Sequence, residues 1–289
     1  MARHNHVYLY ASVLKDPMIS KDKEGNMFSA QVPLCVVQGN RSANGINTDS
    51  YVFDCPPLLT QDPVLMMDIS KWKANDMVIV KGNLCTRDTT KKSICEHCGQ
   101  MNAYPGTVTY VSPIYCAKIK SLKSQDECIE DLKQNQEISN NCLVVGNVCE
   151  NPQFYRYENG NCVTQYNIAL NRKFHIKTDP ASITTDYPHV KSFGDVAISD
   201  AKYIKVGASV LIDGILHARK FPRKIKCQHC GEVYEKPDSA MEIIPYSVEY
   251  LTGCRESSEI EEMQKQLADK AFEDIFNVRP PEGETEEEE

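Results

Sequence analysis

The chain has 289 residues, 41% of them hydrophobic and 25% charged, enough for two ordinary domains and a tail. No run approaches the ~18 uninterrupted apolar residues of a membrane span. The opening "MARHNHVYLYASV" lacks the basic start and apolar core of a secretion signal, so a cytoplasmic protein with reduced thiols is expected. The net charge of −8 would count against a polyanion ligand, but it is local. Residues 255–289 hold 13 acidic and 4 basic side chains, whereas the rest of the chain holds 28 basic and 27 acidic ones.

Taken in order, the chain repeats itself. "VYLYASVLKDP" from Val7 to Pro17 matches "CLVVGNVCENP" from Cys142 to Pro152. Each is an apolar strand ending at a proline. Gly25-Asn26 and Gly160-Asn161 then open alternating runs, "MFSAQVPLCVV" and "CVTQYNIALNR", which read as period-two strands. Tyr51 and Tyr187 follow, each behind a polar cluster. "DMVIVKGNLCTR" then matches "ASVLIDGILHAR", placing Gly82 and Arg87 each 132 positions before Gly214 and Arg219. A last strand, "YVSPIYCAKI" or "MEIIPYSVEYL", closes each copy. The reading is all-β: two tandem small barrels, spanning 1–120 and 141–254.

The link, 121–140, carries a capping box at Ser124 and Glu127 and reads as a short, mostly solvated helix. Over 255–279 an amphipathic helix is expected, with Ile260, Met263, Leu267 and Ile275 on one face and Ser258 with Glu261 as its cap. Residues 280–289, ending in "EGETEEEE", form an acidic tail too polar to pack and expected to be disordered.

Thirteen cysteines, an odd number spread along the chain, argue against a secreted disulfide framework. Those inside apolar runs, such as Cys35, Cys85, Cys142 and Cys162, read as small buried hydrophobes. Two phrases differ: "CEHCGQ" at Cys95 to Gln100 and "CQHCGE" at Cys227 to Glu232, again 132 apart. Two thiolates at this spacing chelate one metal, and structural zinc takes four ligands. His97 and His229, each beside a cysteine, are poorly placed to bind the same ion. Either both turns share one ion through Cys95, Cys98, Cys227 and Cys230, the preferred arrangement, or each copy completes its own site. Cys85 or His217, with Cys116 or Cys254, would supply the missing ligands. A structural zinc that staples the hairpins is expected; a redox pair lacks the strand-to-helix setting it needs.

Residues 141–250 resemble the bacterial single-stranded DNA-binding protein family. The resemblance rests on "LVVGNVCENP", the "NIALNR" strand, the "FG" at Phe193-Gly194, "YIKVGASVLIDG" and "RKF" at Arg219 to Phe221. The first copy is a degraded version of the same pattern, and the family lacks the paired cysteine turns. The resemblance implies oligonucleotide/oligosaccharide-binding (OB) barrels, no enzymatic activity, and single-stranded DNA as partner in replication, recombination and repair. Because the family works with four barrels, it also implies a homodimer of this two-barrel chain.

Sequence-tolerant binding of single strands needs flat rings interleaved with cations. By resemblance the rings in the second copy are Phe174, Tyr187, Phe193 and Phe221, beside Arg172, Lys173, Arg219 and Lys220. In the first copy Tyr51 and Phe53 are the candidate rings and Arg87, Lys91 and Lys92 the cations, and Thr89 stands where the second copy has Phe221. Trp72 reads as a barrel plug. The family's acidic tail recruits replication and repair proteins; here the tail lacks the family's apolar tip. A zinc-stapled scaffold for protein or RNA partners is the alternative.

Overall fold

The computed structural model describes residues 4–39, 51–172, 176 and 183–276, the side chains of 264 and 268–276 excepted. Lys173, Phe174 and the 280–289 tail, all singled out above, lie outside the described residues.

The apolar strand runs of the sequence form β1 (His4–Val13), β2 (Met18–Lys21), β3 (Met27–Val37), β4 (Phe53–Asp54) and β5 (Pro57–Thr60). A short helix, α1 (Pro63–Ile69), follows, capped by the Asp62 carboxylate, which accepts the N–H of Val64 at 2.9 Å. Two long strands then pair as a hairpin, β6 (Asp76–Ile94) and β7 (Met101–Ser121). The circuit β1–β6–β7–β5–β3–β1 closes through the β1–β3 pairing, and only β5–β7 is parallel. Closure removes the sheet edges that an open sheet would leave unpaired.

The second half repeats the circuit with β8 (Asn140–Val148), β10 (Cys162–Asn171), β12 (His189–Phe193), β13 (Ser209–Lys226) and β14 (Val233–Thr252). The small strands β9 (Gln153–Arg156) and β11 (Thr185–Asp186) flank β10. The helix α4 (Gly194–Tyr203) occupies the place of α1.

The recurring glycines have a steric cause. Both hairpins slip register at them, between Lys81 and Gly82 and between Asp213 and Gly214. A Cβ on Gly82 would lie 2.5 Å from the Ser112 carbonyl oxygen, and one on Gly214 closer still to that of Ile244. Trp72 is buried with Leu34, Val80 and Leu84 in the main core, as the reading of it as a plug expects.

The halves are joined by β1 and β8, antiparallel from His4↔Val145 to Leu9↔Asn140. At the centre Val7 faces Cys142, its own repeat equivalent, so the pairing has approximate two-fold symmetry. A second symmetric pair of bonds crosses the joint: Asp54 Oδ1 accepts from Ala218 N at 2.8 Å, and Asp186 Oδ1 accepts from Thr86 N at 2.7 Å. Both aspartates are buried. This fixes the register of the repeat here at 132 and matches Tyr187 with Cys55. The sequence pairing of Tyr187 with Tyr51 is corrected: the connection between β3 and β4 differs in length from its counterpart, and matching by residue type skipped that difference.

The linker departs from expectation only in part. α2 (Gln125–Gln134) starts at Ser124, whose hydroxyl accepts from Glu127 N at 3.2 Å. Most of it faces solvent, but it lays Cys128 and Leu132 on Tyr10, Cys35, Val37 and Met77. Tyr10 donates to Asp131 at 2.5 Å, and burial together with that carboxylate pushes the phenol up to about 12. A single turn, α3 (Gln136–Ser139), completes the link. The last helix, α5 (Ser257–Phe276), is held by Lys205–Glu259 at 2.8 Å; Ile260 is buried, but Leu267 is exposed, so its apolar stripe is only partly covered.

Candidate nucleic-acid interface and thiol cluster

The two long hairpins rise side by side. Each ends in a cysteine turn closed by the same two bonds: Cys95 N to Gln100 O at 2.9 Å with Gly99 N to Cys95 O at 2.9 Å, and Cys227 N to Glu232 O at 2.8 Å with Gly231 N to Cys227 O at 3.0 Å. Gly99 and Gly231 take φ of 70° and 80°, the left-handed region that explains a glycine after each second cysteine.

The turns meet. Cys95 Sγ lies 3.8 Å from Cys230 Sγ and Cys98 Sγ 3.6 Å from Cys227 Sγ, and all four sulfurs fall within 4.8 Å of one another. Among the described residues this is the one group of three or more His, Cys, Asp or Glu side chains so placed. The backbone N–H groups of Cys230 and His229 and the Asn102 amide point at Cys227 sulfur and hold its thiol below its usual value. Ile225, Tyr234 and Tyr104 pack round the cluster. Ser93 and Tyr234 hydroxyls meet at 2.6 Å, and Gln228 N donates to Asn102 Oδ1 at 2.9 Å.

Cys85 and His217, the ligands of a separate-site arrangement, sit elsewhere. Cys85 is buried within the first barrel, and His217 Nδ1 is 3.0 Å from Asp54 Oδ1. Cys116 is buried in the main core, and Cys254 packs against that core.

Below the joined tips is a groove of about 1010 Å³. Its walls come from both hairpins and its floor from Cys55, Pro57, Tyr187 and His189, so equivalent positions face each other across it. Phe221 lines it and also borders a hollow of about 420 Å³ with Lys220 and Lys236. On the other side Pro57, Thr89 and Val108 are shared with a hollow of about 370 Å³ holding Arg87 and Tyr110. Through these shared residues the three spaces adjoin, a furrow lined by both barrels.

Tyr187 is 57% exposed here. Arg219 and Arg223 guanidinium carbons sit 4.6 and 5.8 Å from the Phe221 ring centre, and Arg87 sits 5.7 Å from that of Tyr110. Some of the positive charge is already answered. Asp238 receives both Lys91 at 2.5 Å and Arg223 at 2.7 Å, and Arg219 donates to the buried Glu242 at 2.6 Å. Lys220 stands exposed at the rim.

Several expected contacts are not in this furrow. Arg172 is buried, its guanidinium bonded to both Asp186 oxygens at 2.6 and 2.8 Å, so it holds the joint between halves rather than a phosphate. An arginine ending an alternating strand looks the same in sequence whether it faces water or a buried carboxylate. Tyr51 and Phe53 pack, half-buried, on the cluster under α2, with Lys133 Nζ 5.2 Å from the Tyr51 ring. That helix covers the rings proposed as stackers for the first copy. Phe193 is exposed beside Lys191 on β12, outside the lining of the furrow. Nearby, β9 and the turn after it expose Phe154, Tyr155 and Tyr157. These rings were passed over in the sequence, though "QFYRYENG" carries a signal: three aromatics in a run with no apolar partner.

Comparison with known proteins agrees with this architecture. The profile of the single-strand binding protein family matches residues 139–233. A single-stranded DNA-binding protein of Staphylococcus epidermidis is 30% identical over 95 residues, covering 33% of this chain and 70% of that protein. The single-stranded DNA-binding protein of Thermus aquaticus superposes with a TM-score of 0.57 at 14% identity, over 87% of this chain and 95% of that one. A deletion mutant of the same protein gives 0.56 at 14% identity, over 89% and 99%. The structural likeness extends the shared fold over both halves, well beyond the matched sequence.

Proposed function

The chain belongs to the single-strand binding protein family, and on that premise we propose that it binds single-stranded DNA without reading base sequence. The observation that carries the reading is the furrow lined by both barrels, with Tyr187 and Phe221 as rings and Lys220, Arg87 and Arg223 as cations along it. Bases stack on the rings whatever their identity, while the cations follow the phosphates. The reading assigns binding and no catalytic step, in DNA replication, recombination and repair. Lys173 and Phe174 stay candidates on the strength of the sequence alone, as does Phe193 at the second, outlying group of rings.

The four thiols suit one structural zinc. A tetrahedral site with Zn–S bonds of about 2.3 Å has sulfur–sulfur edges of about 3.8 Å, against the 3.6 and 3.8 Å found. Cys95, Cys98, Cys227 and Cys230 would hold the ion, and its part is to tie the two hairpins over the furrow. Residues 1–120 and 141–254 then act as the two binding units, joined by 121–140 and followed by 255–279 and the 280–289 tail.

A homodimer would present four barrels. The outer face of the central sheet, where Tyr8, Ile79, Tyr115 and Leu143 stand exposed, is the surface for it. The acidic tail is assigned to protein partners in the cytoplasm; no described helix is long and apolar enough to cross a membrane.

The test is fluorescence titration of the full chain with oligo-thymidine across a salt series. Tight binding that weakens linearly in log salt is expected, with a slope near −0.7 per phosphate neutralised. Binding that is absent, or indifferent to salt, would overturn the proposal.

A further inference from the structure

Cys55 is an exposed thiol on the floor of the furrow, and its cross-strand neighbour is another cysteine. The β3–β4 register pairs Val36 with Asp54 and Val37 with Phe53, and the same register continues to Pro33↔Pro57. Cys35 therefore faces Cys55 directly. Residues opposite each other on antiparallel strands have Cα atoms about 4.5–5.5 Å apart, inside the roughly 4.4–6.8 Å range that a disulfide spans. The repeat places Ala169 and Tyr187 at the matching positions of the second half, so the dithiol is an addition to the first.

We propose that Cys35 and Cys55 form a peroxide-reactive dithiol that closes to a cross-strand disulfide at the furrow floor. Cys55 sulfur attacks one oxygen of hydrogen peroxide, the O–O bond breaks, and hydroxide leaves to become water, giving a sulfenic acid. Cys35 sulfur then attacks Cys55 sulfur; the S–O bond breaks and the second oxygen departs as water with the Cys35 proton. Two thiols lose two electrons and one peroxide gains them.

The environment supplies the asymmetry such a pair needs. The Cys35 thiol donates to Cys55 sulfur and Lys220 lies near, which brings Cys55 down to about 7 from its usual 9.0. Cys35, beside that sulfur and buried, is pushed up strongly and stays protonated until it resolves the intermediate. Cys55, the exposed member, is therefore the nucleophile of the pair, and its gain in thiolate outweighs the lower nucleophilicity that comes with lower basicity. Cys149 is the internal control, since it is also exposed but its thiol is raised by partial burial.

The test treats the full, metal-loaded chain with hydrogen peroxide, quenches with an alkylating reagent and maps peptides under non-reducing conditions. Cys55 should be lost at least about 5-fold faster than Cys149, with a Cys35–Cys55 cross-linked peptide as product. Cys35→Ser should leave Cys55 as a sulfenic acid that a dione reagent traps, and Cys55→Ser should abolish the cross-link. Loss of Cys55 no faster than Cys149, or a Cys55 adduct with no cross-link to Cys35, overturns the proposal. A second arm rests on the DNA-binding reading: prebound oligo-thymidine should shield Cys55. If the disulfide forms equally fast with and without oligonucleotide, the dithiol stands and the assigned path of the strand falls.

Discussion

The sharpest consequence of the hairpin geometry concerns metal loading. Among the described residues the tips are also joined by a hydroxyl pair at 2.6 Å, an N–H to amide bond at 2.9 Å, two longer amide contacts at 3.4 Å, the Lys236–Glu96 and Lys91–Asp238 ion pairs at 2.7 and 2.5 Å, and the packing of Ile225, Tyr234 and Tyr104. Hydrogen bonds of this kind contribute about 1 kcal/mol each, and an exposed ion pair between about 0 and 1. A single ion shared by Cys95, Cys98, Cys227 and Cys230 would be the largest single contribution to that sum. At free metal a thousand times its dissociation constant, binding stabilises the folded chain by about 4 kcal/mol, which at this size raises Tm by roughly 8–16 °C. Native mass spectrometry should count one zinc per chain, and removal by a chelator should lower Tm by that amount. Hydrogen exchange at 91–104 and 223–236 should rise at the same time, while β1 and β8 stay protected. Changing Cys98 and Cys227 to serine should reproduce the chelated state. Two ions per chain would refute the shared site, and unchanged exchange at the tips on chelation would refute the stapling role.

Tyr187→Ala and Phe221→Ala should each weaken oligo-thymidine binding by about 1–3 kcal/mol, or roughly 5- to 140-fold in Kd. Tm should stay nearly constant for Tyr187→Ala, because that ring is largely exposed. Arg172→Ala should do the reverse: it strands the buried Asp186 carboxylate, costing about 3–5 kcal/mol in a denaturant titration, while the protein that remains folded binds DNA as before. Gly214→Ala forces a Cβ against the Ile244 carbonyl and should cost about 3 kcal/mol, read as a Tm drop of about 6–12 °C. His189 is held below its usual value by burial, with Glu242 and Glu150 opposing and Arg219 and Lys191 reinforcing. The unfolded chain therefore takes this proton first, and stability should fall as pH drops below about 6.5. His189→Gln should flatten that part of the pH–stability curve.

The repeat, the strands, the two recurring glycines and the paired cysteine turns are all legible in the sequence. Each is written locally, as period-two hydrophobicity, as a glycine where no Cβ fits, or as a fixed spacing between chelating thiols. Which side chains face a single strand was less legible. Arg172 directly follows β10 and Arg219 lies within β13, and in the sequence both resemble phosphate ligands. The first turns inward because Asp186, a residue the sequence gives no reason to bury, sits at the joint between the halves. Tyr51 and Phe53 lose their access to a linker helix whose two buried residues, Cys128 and Leu132, are too sparse to announce a docking face.

By itself, then, the sequence determined a duplicated barrel and the thiols able to bind a metal, because backbone sterics and short-range periodicity act within a few residues. Tertiary structure alone decided that the cysteine turns touch, that Cys35 faces Cys55, and that hollows on the two barrels adjoin. The first and third depend on how β1 meets β8, set by contacts between residues a hundred or more positions apart, and the second on the register in which β3 meets β4.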